Sequence, residues 1–408
     1  MAATKVPKRI IPISSGKGGV GKTTLALNLA LSLSRHGKTI LVDLDTGTSS
    51  VRNLVDTPVH RDLYHFFKKG HALGDCVTTL STRLDPTGRF SEFGFVAAPK
   101  DVIDEITNLD HRRRDALIDG INSLDAAYVI LDLKSGLDTN VIEFLPLSNS
   151  GILVFTPHLT AATLAASQIV KAMLFRKLRV LFAKGSEVYS SLPGLEAATV
   201  NALIDRAEDV YDPRSMNLDG FLDALREAVG DHPVLGLVAQ TIHFFRVHFV
   251  MNMFSGVQDS YETAVKPFVA NLLSKVSGRL SIMNLGWVAA HEDINRANGR
   301  RVPVLLGKAA AHNDPSRELA RLARRYLGAR STTAKVLARP DPAQYLNVQL
   351  ETLRRMSDDL GGASYRENFK YVTYRALHLM ATLRVSDFGD NRLFKPSEMA
   401  AALARRKR

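Results

Sequence analysis

Two lysines in one short glycine-rich run, Lys17 and Lys22 of SSGKGGVGKTT (residues 14–24), pose the first chemical question. Gly16, Gly18, Gly19 and Gly21 leave backbone amides uncovered around Val20, and Lys22, Thr23 and Thr24 follow at once. The run satisfies G-x-x-x-x-G-K-[ST] over residues 16–23. It also satisfies the dinucleotide pattern G-x-G-x-x-G at Gly16, Gly18 and Gly21, with Asp43 about where a ribose-binding acid would fall. The pair after the last glycine separates the two readings. A lysine in the first helical turn reaches β- and γ-phosphates, and a neighbouring threonine hydroxyl ligates Mg²⁺. A dinucleotide pyrophosphate needs neither, so Lys22 and Thr23 favour a nucleoside triphosphate.

Triphosphate chemistry also needs a second carboxylate near the metal and a sensor of the γ-phosphate. ILDLKSG supplies Asp132 at the end of an apolar run and Gly136 four residues later, whose amide suits a D-x-x-x-G switch. In DLDTGTSS, Asp45 sits where a loop folds over the phosphates and orients the attacking water, directly or through the metal shell. Asp43, two residues back on the same strand face, is a candidate for the metal's outer shell, and the two roles are exchangeable at this stage. Thr23, Asp43, Asp45 and Asp132 are thus the Mg²⁺ candidates, partly through water. Lys17 is surplus to a loop that already has its amides and its lysine. Its functional reading is a cation supplied in trans to a second subunit's nucleotide, which predicts a face-to-face dimer around two ATP molecules.

The elements that must hold these residues alternate in type. RIIPISS, KTILVDLD, FGFVAAP (93–99), AYVILDL (127–133), GILVFTP (151–157), VHFVMNM (247–253) and LSIMNLGWVA (280–289) read as buried strands, with helical or loop segments between them. The expectation is an α/β, doubly wound, mainly parallel sheet of about seven or eight strands in a P-loop NTPase fold. Residues 171–245 read as a helical insertion. A linker after Leu327 leads to helical segments, so residues 1–335 are expected as the nucleotide domain and 336–408 as a basic helical C-terminal extension. In that extension Phe369, Val372, Ala376, Leu379 and Leu383 form one apolar helical stripe, read first as a packing face.

KGGVGKTT, DLDTG and DLKSG together resemble the MinD/ParA class of P-loop ATPases with a deviant Walker A lysine, over roughly residues 8–328. The stretch from DLKSG to Met173 and LGWVAAHEDINRANGRRVPVLL are most similar to the MinD/FlhG-like branch. The resemblance implies ATP-dependent homodimerisation, slow hydrolysis stimulated by an activating protein, and placement of a cell structure such as a division site, chromosome or flagellum. It implies Lys17 as the trans lysine, Lys22 as the phosphate lysine, Thr23 as the Mg²⁺ ligand, Asp45 as the switch I acid and Asp132 as the switch II acid. FVMNM is similar to the strand whose asparagine, here Asn252, lies near the adenine base; a strand-end turn role is the other reading of Asn252. Lys134 departs from the branch by placing a cation inside switch II. The basic N-terminus lacks the activator motif of FlhG proteins, and the final residues do not read as the amphipathic membrane helix of MinD.

Composition sets outer bounds. The chain has 408 residues, a formal charge of +12 and one cysteine. Cys76 reads as a small buried hydrophobe, and a lone cysteine excludes the iron–sulfur members of the class. With no stretch of eighteen apolar residues and no leader pattern, the expectation is a cytoplasmic protein, peripheral on nucleoid or membrane. From Arg301 onward roughly twenty Lys and Arg face ten Asp and Glu, and the cluster Arg405, Arg406, Lys407 and Arg408 ends the chain. This surplus favours nonspecific DNA over lipid as the anionic surface. Two functions stay in view: a cycling ATPase, and a nucleotide-gated scaffold with little hydrolysis. His243 and His248, five apart in what reads as a strand, are expected on opposite faces and without a metal, and Trp287 is expected in the core.

Overall fold

The computed structural model describes residues 8–46, 51–209, 211–212, 215–306, 341–360, 365–382 and 392–404. Its frame is one sheet of eight strands: β1 (Arg9–Ser14), β2 (Thr39–Leu44), β3 (Thr78–Thr79), β4 (Phe93–Val96), β5 (Tyr128–Leu133), β6 (Asn149–Phe155), β7 (Arg246–Phe254) and β8 (Ser281–Ala289). Their spatial order is β3-β4-β2-β5-β1-β6-β7-β8. Every pairing is parallel except β3 with β4. Central parallel strands are covered on both faces, which explains why β2, β4 and β5 are unbroken buried runs with no polar alternation. The two-residue β3 is the eighth strand, too short to leave a pattern in the sequence.

Helices of eight or more residues are numbered α1 (Lys22–Leu33), α2 (His111–Ser123), α3 (Thr160–Leu181), α4 (Gly194–Glu208), α5 (Leu218–Val229), α6 (Pro233–His243), α7 (Lys266–Lys275), α8 (Glu292–Gly299), α9 (Pro342–Leu360), α10 (Tyr365–Thr382) and α11 (Pro396–Ala404). They divide between two apolar cores, one on each face of the sheet. Leu25, Leu29 and Leu33 of α1 share one core with Phe369 and Val372 of α10. Helices α2, α3 and α5 to α7 fill the other, with Leu353 and Met356 of α9 and Met399 and Leu403 of α11. Helices α4, α5 and α6 lie in the interval between β6 and β7 that reads as an insertion.

The C-terminal helices share these cores, and they also finish the sheet. At the open edge of β8, the Tyr345 hydroxyl accepts from Ile282 N–H at 2.8 Å and Asn368 Oδ1 accepts from Ala289 N–H at 3.0 Å. Arg375 donates to the Asn284 carbonyl at 2.8 Å. Phe369, Val372 and Ala376 are buried, so the described part of the apolar stripe is a packing face. The Leu379 side chain, Leu383, the linker after Leu327, the boundary at 335/336 and the cluster at 405–408 lie outside the described residues.

One local reading is corrected. His243 does not share a strand with His248: it ends α6, because the helical run from Pro233 continues to it before β7 begins. Cys76 is buried, and Trp287 is buried against Phe254 with ring centroids 4.2 Å apart.

Candidate functional site

The glycine run leaves β1 between β5 and β6 and enters α1, at the end of the sheet where parallel strands place ligands. Two glycines in it are required by geometry. A Cβ on Gly16 would lie 2.5 Å from the Ala165 Cβ and the Ala166 nitrogen, so only glycine lets the loop pass against α3. Gly21 has φ of 78°, in the left-handed region, and a Cβ there would strike the Asn252 amide.

Strand register brings the acids together. Asp43 pairs with Asp132 across β2 and β5, and Asp132 lies beside Ile13 of β1, just before the loop. Lys22 Nζ donates to Asp132 Oδ1 at 2.6 Å and lies 3.7 Å from Asp45 Oδ2. Lys22 is 5% exposed, and Asp132 is fully buried. Burial works against the lysine's charge, but Asp132, then Asp45 and Asp43, outweigh it and hold the ammonium above its ordinary pKa. Burial raises Asp132 as well, against the pull of Lys22. Asp43 is pushed well above the usual carboxylate range, first by burial and then by the charge of Asp132. Its two oxygens accept Asp45 N–H at 3.2 Å and Val51 N–H at 3.0 Å, so Asp43 fastens both ends of the loop that carries Asp45.

The remaining candidates surround this centre. Gly136 donates its N–H to the Ser15 carbonyl at 2.8 Å, joining the switch II turn to the glycine loop. Asn252 donates its amide to the Val20 carbonyl at 2.8 Å and so braces the loop from β7. The next residue, Met253, has φ of 56°, one of two positive φ values at non-glycine positions among the described residues. Lys134 lies 3.6 Å from Asp138, directed along its own segment. Lys17 is exposed at the crest of the loop, whereas Lys22 is buried. The segments that meet the loop at Ser135 and Ala165 each carry an exposed leucine, Leu137 at 51% and Leu164 at 43%.

The groups fit a triphosphate with a hard divalent cation. Asp132 Oδ2 is buried without a hydrogen-bond partner, and nothing lies within 4 Å of a Cβ placed on Gly19, so the loop's outer side is open. Hydroxyl and carboxylate oxygens suit Mg²⁺, which takes few protein ligands and completes its shell from phosphate and water.

Similarity to known proteins is concentrated in the N-terminal part of the chain. A family profile described as "AAA domain" matches residues 8–177. The putative septum site-determining protein MinD of Chlorella vulgaris is 31% identical over 155 residues, which is 38% of this chain and 52% of that protein. Over these residues the chain is similar to MinD proteins, which are P-loop ATPases of the MinD/ParA class. The flagellum site-determining protein YlxH of Helicobacter pylori is 29% identical over 161 residues, 38% of this chain and 50% of that one. The chain spans about half the length of these curated relatives. A MinD of Pyrococcus horikoshii complexed with Mg-ADP aligns with a TM-score of 0.43 at 15% identity, over 74% of this chain and 90% of that chain.

Sequence reading missed one contact to the candidate site: Asn298 of α8 donates its amide to Thr24 Oγ1 at 3.1 Å. Asn298 and Thr24 are 274 positions apart, and no local spacing rule joins them.

Proposed function

We propose that this chain is a nucleotide-driven switch that binds ATP with Mg²⁺, closes as a homodimer around it and hydrolyses it slowly under the stimulus of an activating protein, thereby positioning a cell structure. The observation that carries the reading is the division of labour between two lysines of one loop. Lys22 is buried against Asp132 of the same chain, whereas Lys17 is exposed, as are Leu137 and Leu164 on the segments next to the loop. An exposed cation on an apolar-rimmed face suits a partner that brings negative charge, and a second nucleotide-loaded copy does so.

Thr23, Asp45 and Asp132 would hold the metal with its water, and Asn252 is the candidate neighbour of the base. Bound Mg²⁺ supplies charge neutralisation on the phosphates. The chain's own part is to seat the phosphates on the loop amides with Lys22, and to hold Asp45 over them through the Asp43 carboxylate. The Gly136 amide must leave Ser15 before it can meet a phosphate, which makes the 132–136 segment the moving part. Lys134, the cation within switch II, pairs at 3.6 Å with Asp138 of its own segment.

Light-scattering mass with ADP, with ATP and with ATP for Lys17→Ala, alongside phosphate release, tests this. We expect dimer with ATP only, and a Lys17→Ala protein that binds ATP but turns it over about 10³-fold more slowly. A wild type that stays monomeric with ATP, and is indifferent to Lys17→Ala, would remove the trans role.

A further inference from the structure

Helix α8 lies far in the chain from the glycine loop and the acids, yet its last turn reaches Thr24, where the loop passes into α1. Asn298 Nδ2 donates to Thr24 Oγ1 at 3.1 Å. The chain beyond α8 is fastened to the same helix, since Leu305 N–H donates to Asn28 Oδ1 at 3.2 Å while Asn28 Nδ2 donates to the Thr24 carbonyl at 2.9 Å. Asn28 therefore has both ends of its amide engaged, and Thr24 has both oxygens accepting. At its far end α8 is held by the C-terminal helix: the Tyr365 hydroxyl donates to Asp293 Oδ2 at 3.2 Å, and the Tyr365 ring packs on His291 with centroids 4.6 Å apart.

A threonine hydroxyl has one proton and two lone pairs. When Asn298 takes an acceptor position on Thr24 Oγ1, the hydroxyl proton is left for a different acceptor. Thr24 is the third residue of α1, in the turn whose free amides and dipole favour negative charge. The acceptor that suits this place is a phosphate oxygen. We propose that Asn298 is a positioning residue for the nucleotide: it fixes the Thr24 hydroxyl so that its proton points to the phosphate chain, and α10 sets the angle of α8 that makes this possible. This inference rests on the reading of residues 14–24 as a nucleotide loop.

The chemistry separates two substitutions of the same residue. Asn298→Ala deletes the donor and lets the hydroxyl turn. Asn298→Asp keeps the shape but replaces a donor with an acceptor, which captures the Thr24 proton and adds negative charge near the phosphates. A role limited to packing would spare the near-isosteric Asp, so the order of the two variants is diagnostic.

The test is ADP affinity of the full chain, measured calorimetrically with Mg²⁺ present, for the wild type, Asn298→Ala, Asn298→Asp, Thr24→Val and the Asn298→Ala/Thr24→Val double variant. Melting without nucleotide monitors the fold, and Asn298→Leu, which has a similar volume and no donor, replaces Asn298→Ala if that variant folds poorly. We expect Asn298→Ala to weaken ADP about five-fold and Asn298→Asp more than that. The double variant should bind as Thr24→Val does. Equal affinity of the wild type and both Asn298 variants, or independent losses in the double variant, overturns the role of Asn298. A wild type that binds no ADP overturns the nucleotide reading itself, a different failure.

Discussion

A lysine sealed among three carboxylates and a histidine sealed with none show how burial sets charge at the scale of one residue. Lys22 keeps its proton because Asp132, Asp45 and Asp43 outweigh the cost of burial. His248, in the middle of β7, has no such company: its Nε2 is buried without a hydrogen-bond partner, and burial, helped by the charge of Arg246, lowers its pKa to about 4. The unfolded chain then binds the extra proton more readily than the native one wherever pH lies between the ordinary histidine value and about 4. The neutral ring's contribution is complete above pH ~6.5, declines as pH falls and is gone below about 4, a loss of about 3 kcal/mol. We expect His248→Gln to remove that slope, so that the stability difference between variant and wild type, taken from urea unfolding at pH 7 and pH 4.5, changes by about 2 kcal/mol. A difference independent of pH would show that His248 titrates normally in the fold. The neighbouring acids cancel in this comparison because both proteins carry them.

At the scale of elements, the C-terminal helices do for β8 what another strand would do. Tyr345 and Asn368 take up N–H groups of the last strand, and Arg375 takes up a carbonyl. An uncovered edge strand is a template for aggregation, and these side chains blunt it. Tyr345→Phe leaves the Ile282 N–H without its acceptor in a partly buried place, and we expect it to cost roughly 1–2 kcal/mol in urea unfolding while ADP affinity stays at the wild-type value. A loss below a few tenths of a kcal/mol would mean that solvent satisfies that edge. Such devices are also where sequence reading ends. Strands β1, β2, β5 and β6, the loop, and the acids Asp45 and Asp132 were legible because each is written in consecutive residues, as an apolar run, a glycine spacing or a carboxylate closing a strand. The two-residue β3 carries no period, and the helical ending at His243 was mistaken for strand because a short apolar run fits both. Asn252 on Val20, Asn298 on Thr24 and Tyr345 on Ile282 join residues far apart in the chain, so only the folded register brings them together.

For the whole molecule, the formal charge of +12 asks which anionic surface the switch would use, and the fold changes how that is tested. Deleting the segment from Tyr345 removes Leu353, Met356, Phe369 and Val372 from the two cores along with its charge, so a lost interaction would report unfolding as readily as lost contacts. Several basic groups of the segment are also committed internally: Arg375 to the β8 edge, Lys395 to Asp119 at 2.6 Å, and Arg392 to Glu398 at 3.4 Å. The outer face of α9 is different, because Arg354 and Arg355 are exposed and Arg354 pairs with the surface acid Glu351. Replacing both with glutamate changes the charge by four units while leaving Leu353 and Met356 in place. If ATP-loaded protein uses duplex DNA as its surface, retention on random-sequence DNA falls by about 10-fold or more between 50 and 200 mM salt, and the double glutamate variant weakens it further with a shallower salt slope. Wild-type retention that is insensitive to salt, or equal retention by the variant, removes α9 and nonspecific DNA from the proposal and leaves an uncharged or protein surface as the site of action. If the proposed ATP-dependent dimer forms, the variant should form it as well, because α9 packs into the core on the face of the sheet away from α1.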